Sequence, residues 1–114
     1  MLKDELLKNA KTFYASASLV YRSGDYTGAF ILFFKCLMAI CDYAVLAKYS
    51  KTPKDHQERF RLLEKHFPLL YKEVDFLFRF YRQSYSTAVR KPICDETMKT
   101  VELYAKTYGI ELVG

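Results

Sequence analysis

"AFILFFKCLMAICDYAVLA", residues 29–47, decides the fold. The stretch has the length of a membrane span. It carries Lys35 and Asp42 near its middle, and each charge costs roughly 3 kcal/mol at the centre of a bilayer. The segments on either side are amphipathic and richly charged. The run therefore reads as the most buried helix of a soluble bundle. A helix apolar almost all round packs against several neighbours or against a second subunit.

Working outward, this helix spans about Tyr26 to Tyr49, and "SGD" at 23–25 precedes it, with Gly24 suited to the left-handed residue beyond a helix end. Before the break, Leu6, Leu7, Phe13, Ala17, Val20 and Tyr21 recur at helical spacing over Leu2 to Arg22. After it, "SKTPKD" at 50–55 is a polar interruption. A helix from about Lys54 to His66 follows, capped by Asp55 or Thr52. Pro68 suits the first turn of a helix reaching about Tyr85, with an apolar stripe of Leu70, Val74, Leu77, Tyr81 and Tyr85. Lys72, Asp75, Arg79 and Arg82 lie on another face. "STAVRKPIC", 86–94, reads as a loop, and Asp95 with Glu96 opens a last helix that ends at Gly109. No segment alternates like an exposed strand. These spacings predict one all-α domain over residues 1–114, an up-and-down four-helix bundle with 54–66 as a short accessory helix.

Composition agrees. The 114 residues are 51% hydrophobic and 27% charged, with Gly 4 and Pro 3. That balance excludes disorder and leaves little punctuation for short strands. Tyr 10 and Phe 9 supply a core without Trp. Cys36, Cys41 and Cys94 cannot all pair within one chain, and their spacing fits neither a zinc knuckle nor a redox pair. They read as buried small apolar residues in a reducing cytosol. The start, "MLKDELLKNAK", is charged and helical, unlike a signal peptide. The expected location is cytoplasmic, with no membrane partner.

The positive charge is concentrated. Residues 1–50 hold six Lys/Arg against four acids, 51–91 ten against five, and 92–114 two against four. The excess culminates in "FLFRFYRQSYSTAVRKP", 76–92, where Arg79, Arg82, Arg90 and Lys91 stand among tyrosines. With Tyr85 as a stacking partner, these residues form a candidate phosphate-contacting surface. The competing reading is a solvated helix face, with Tyr81 and Tyr85 in the core stripe.

Catalytic motifs are few. There is no Gly-rich phosphate loop, no HExxH and no nucleophile elbow. His56 and His66 are the only histidines; Asp55, His56 and Glu58 read as a helix start rather than metal ligands, and no cofactor is expected. "GDYTGAF" at 24–30 is like a tetratricopeptide turn but does not recur.

The order of segments, with "SGDYTGAFILFFKCLMA", "PKDHQERFRLL" and "YRQSY" before a final helix, resembles the HEPN family over nearly the whole chain. HEPN domains are small prokaryotic helical bundles, often dimeric and often paired with a minimal nucleotidyltransferase in toxin–antitoxin systems. The resemblance implies such a partner, and RNA or a nucleotide as ligand. Many members are ribonucleases in which an arginine is followed, after four to six residues, by a histidine. Arg82 best matches that arginine, but Thr87, Ala88 and Val89 stand where the histidine should be. Arg61 and His66 match the spacing inside the accessory helix, away from the family's location. The expectation is a non-catalytic binding module using Arg79, Arg82, Tyr85, Arg90 and Lys91. The alternatives are a metal-independent ribonuclease using Arg82, or Arg61 with His66, and a purely structural subunit. Apolar residues on many faces of the 26–49 helix also predict a homodimer, with Arg79 or Arg82 near its counterpart.

Overall fold

Asp25 starts the core helix. Its carboxylate accepts from the Gly28 backbone N–H at 2.8 Å, and a side chain on Gly28 would collide with that carboxylate. Gly24, at φ +89°, makes the turn in front of it. The computed structural model describes residues 2–113. It runs α1 (Leu2–Arg22), α2 (Tyr26–Tyr49), α3 (His56–His66), α4 (Pro68–Gln83) and α5 (Lys91–Thr107). No strand occurs among the described residues, so the chain is all-α.

α1 folds back on α2. Cys36 Sγ donates to the Ala10 carbonyl at 3.2 Å, Tyr14 meets Phe33 edge-on at 5.8 Å, and Tyr21 meets Tyr26. Ala10 and Ala17, two turns apart, are the buried residues of α1. Their small side chains let the two helices approach closely. α4 opposes α2 in direction: Phe34 stacks on Phe78 and Tyr81, while Lys48 lies over Phe67. α5 opposes α4 in turn, Phe67 meeting Tyr108 and Thr100 meeting Glu73.

α3 is placed differently. Asp42 pairs with Arg59 and Tyr49 packs on His66, so the residue numbers on the two helices rise together. The loop over 50–55 therefore runs back along α2, with Pro53 buried beneath it, before Asp55 caps Glu58 N–H at 2.8 Å. Ser50 turns the chain in the left-handed region at φ 61°.

α2 is the core. Phe30, Phe33, Leu37, Ile40, Cys41 and Val45 are fully buried, and α2 supplies half of the largest fully buried side chains, more than any other helix. It is the one described helix long and apolar enough to cross a membrane, and most of that window is covered inside the chain. The sequence predicts apolar faces on α2 left over for a second copy. Here they are spent on α1, α4 and α5.

Four helix ends differ from the sequence expectation. α3 starts at His56 rather than Lys54, and α5 ends at Thr107 rather than Gly109. α4 stops at Gln83 rather than Tyr85, where Ser84 Oγ turns back to the Tyr81 carbonyl at 2.6 Å. α5 begins at Lys91, four residues before Asp95. Pro92 is a helix starter there, as Pro68 is in α4. The preceding loop is pinned by Val89 N–H to Thr27 Oγ1 at 2.8 Å.

Candidate functional site

Lys35, Met38, Ala39 and Asp42 follow one another at helical spacing on one face of α2. They floor an open cleft of about 270 Å³. Leu6, Asn9 and Phe13 of α1 line one side, and His56 and Arg59 of α3 with Tyr81 of α4 line the other.

Arg59 is the centre of its electrostatics. Nε donates to Asp42 Oδ1 at 2.6 Å and Nη2 to Oδ2 at 2.9 Å, a forked, charge-assisted pair. The two side chains are only 12% and 15% exposed. Burial works against the Arg59 charge, but hydrogen bonding and attraction to Asp42 outweigh it and raise its pKa. Nη1 then donates to His56 Nδ1 at 2.7 Å. A guanidinium has no acceptor, so Nδ1 offers its lone pair and the imidazole proton sits on Nε2. Partial desolvation first and the Arg59 charge second lower the His56 pKa below 6.5; Asp42 and Asp55 pull it the other way, and Lys35 adds a little to the lowering.

An aromatic stack backs the cleft. Phe34 and Tyr81 lie nearly parallel at 4.6 Å, and Phe78 stacks beside both. His56 packs on Phe78 at 5.4 Å. Arg82 places its guanidinium over the same ring at 5.2 Å. Arg82 and His56, far apart in sequence, thus share one aromatic neighbour beside the cleft.

The other residues singled out by sequence do not gather here. Tyr85 is 82% exposed and touches Tyr81 edge-on. Arg79 is exposed with no ion-pair or ring partner among the described residues, and Arg90 is an exposed residue at the start of α5. Lys91 is committed elsewhere: it pairs with Asp95 at 3.0 Å and lies over Tyr21 and Tyr26. Tyr21 also donates to Asp95 at 2.6 Å, which joins α1 to α5. Arg61 and His66 are not brought together. Five residues apart on a helix, they point about 140° from each other. Arg61 faces Glu58 at 3.6 Å, while His66 packs on Tyr49. Among the described residues no cluster of His, Cys, Asp and Glu could hold a metal ion. Compared with family models, curated proteins and solved structures, the chain matches none.

Sequence reasoning did not connect Lys35, Asp42, His56 and Arg59. A signal was there for part of it: Lys35 and Asp42 are seven apart, on one face, and His56 and Arg59 are three apart.

The histidine has a consequence for pH. The unfolded chain takes up a proton at His56 near pH 6.5, whereas the folded chain does so only at lower pH. Stability is therefore full above about 6.5 and falls as pH drops through the lowered folded value. The melting temperature should decline from about pH 7 to pH 5, and His56→Asn should flatten part of that decline. An equally steep decline in the variant would assign it to other groups, such as His66.

Proposed function

We propose that the chain is a non-catalytic, HEPN-like binding module that takes a nucleotide, free or within single-stranded RNA, in the cleft beside Arg59. In this reading α1, α2, α4 and α5 form an up-and-down four-helix bundle, with α3 as its accessory helix. It works in the cytosol as a homodimer, and a minimal nucleotidyltransferase is the protein partner that the resemblance implies.

One observation carries the reading: stacked aromatics and cations without acidic partners among the described residues occupy the same cleft and its edge. Tyr81 backs the cleft from its stack on Phe34, and Lys35 stands beside it with no acidic partner among the described residues. Arg82 lies just outside, over Phe78. Aromatic side chains accept bases without regard to sequence, and cations take the phosphate. The size suits one nucleotide unit rather than a duplex.

A short labelled single-stranded RNA, titrated by anisotropy, tests this. Affinity should fall steeply with salt. Lys35→Ala and Arg82→Ala should each weaken binding about tenfold and flatten the salt slope, whereas Lys3→Ala, whose side chain lies over Tyr43 outside the cleft, should not. Equal losses in all three would mean general attraction to a basic protein, and the cleft would be the wrong site. The RNA should be recovered intact.

A second reading has its own observation. His56 keeps Nε2 free of the Arg59 contact, with Arg82 across the same ring, so a proton-transfer group and a cation stand near one another. Cleavage of that RNA by the wild type, lost in His56→Ala, would replace the binding reading with a ribonuclease.

A further inference from the structure

We propose that two copies of this chain meet through the face formed by α4 and α5, each laying its α4 on the α5 of the other. This rests on the homodimer reading above and names the surface that carries it.

The seam between α4 and α5 is where exposed large apolar side chains collect. Leu69 is 73% exposed, Leu103 57% and Phe76 42%. Leu69 and Leu103 line one groove of about 420 Å³ in which no charged side chain takes part. Farther along, Phe76 lines a second hollow of about 390 Å³ with Pro92 and Ile93. Lys72, Glu73 and Glu96 rim that second hollow, and large apolar side chains gathered on one face with a polar rim mark an interface more often than scattered ones do.

Charge indicates the occupant. The chain carries a net +5, so two copies repel one another over most orientations. The seam is an exception: Lys72 and Lys99 are matched by Glu73 and Glu96. A two-fold axis along the seam sets Leu69 opposite the partner's Leu103 and brings Glu73 towards the partner's Lys99. Such a surface is complementary to itself, as an isologous interface must be. α5 has 17 residues and α4 has 16. Helices of that length, roughly 25 Å each, lying side by side offer room for the ~800 Å² per partner of a stable dimer.

The geometry also keeps the cleft open. Arg82 is six residues beyond Phe76, about a third of a turn round α4 from the seam. Arg79 stands at the rim between the two.

Sedimentation of the wild-type protein at micromolar concentration should give a dimer, and Leu103→Glu should weaken it about thirtyfold or more with helicity unchanged. Cross-linking gives a second readout that does not depend on how the glutamate variant folds. The three native cysteines are all buried, so Leu69→Cys and Leu103→Cys chains, prepared separately and mixed, should form disulfide-linked pairs of one with the other. A dimeric wild type whose mixed chains do not cross-link would remove this face while leaving the dimer reading standing. A monomeric wild type would remove both.

Discussion

Asp42→Ala should lower the unfolding free energy by about 3 kcal/mol, because it strands the Arg59 charge in a mostly covered site. In a domain of this size that corresponds to a fall in melting temperature of roughly 15 °C. The loss is not the worth of the ion pair itself. Two charges withdrawn from water recover their solvation only while each has the other, so removing one partner costs more than removing both. The double change Asp42→Leu with Arg59→Met should therefore be less destabilised than Asp42→Ala alone. Urea unfolding of the two single changes and their combination measures this directly. Asp42→Ala should also release Arg59 from its fork and His56 from its fixed tautomer, so RNA affinity should fall in parallel. A change in stability below about 1 kcal/mol would mean that the pair behaves as a surface salt bridge, and the rigid site described here would not exist.

The framework was legible because it depends on local rules. The run 29–47 reads as a helix wanting cover on most sides, and most of it is covered by the rest of the chain. Asp55, Gly24 and Pro68 each act at the helix end where their chemistry places them. Pro92 was misread as part of a loop because a proline near a helix can close one or open the next. The segment before α5 is tied by Val89 to Thr27, 62 residues away in sequence.

The site was less legible for the same physical reason. Arg59 reaches Asp42 only because 50–55 folds back along α2, a path that no periodicity encodes. A search for histidine downstream of Arg82 finds Thr87, Ala88 and Val89. In space the nearest histidine to that part of α4 comes from upstream, His56, packed on Phe78. Spacing motifs capture pairs on one helix; they are blind to pairs assembled by a returning loop. Lys91 shows a second role that charge alone does not reveal: it pairs with Asp95 and lies over Tyr21, bracing α5 against α1.

Phe34→Ala should have the largest effect of any single change on stability, about 4 kcal/mol. The side chain is 1% exposed and stacks on three rings at once: Tyr81 at 4.6 Å, Phe30 at 6.0 Å and Phe78 at 6.1 Å. Truncation removes its burial and its aromatic contacts, and these rings cannot collapse into the void without leaving their other partners. Phe34→Leu restores most of the volume but not the stacking, and should cost only about 1–1.5 kcal/mol. The contrast is informative because Phe34 also lines the cleft. With alanine the cavity opens directly onto solvent, and Tyr81 loses the ring that holds it parallel. RNA affinity should then drop even where the variant is still fully folded, whereas leucine should leave binding within about threefold. Urea denaturation with an unchanged slope, followed by titration well below the unfolding midpoint, separates the two effects. If alanine cost less than about 1.5 kcal/mol, the stack would not be the joint between core and cleft. If both variants bound RNA like the wild type, Tyr81 would not be the stacking surface, and the ligand would have to lie on the exposed arginines instead.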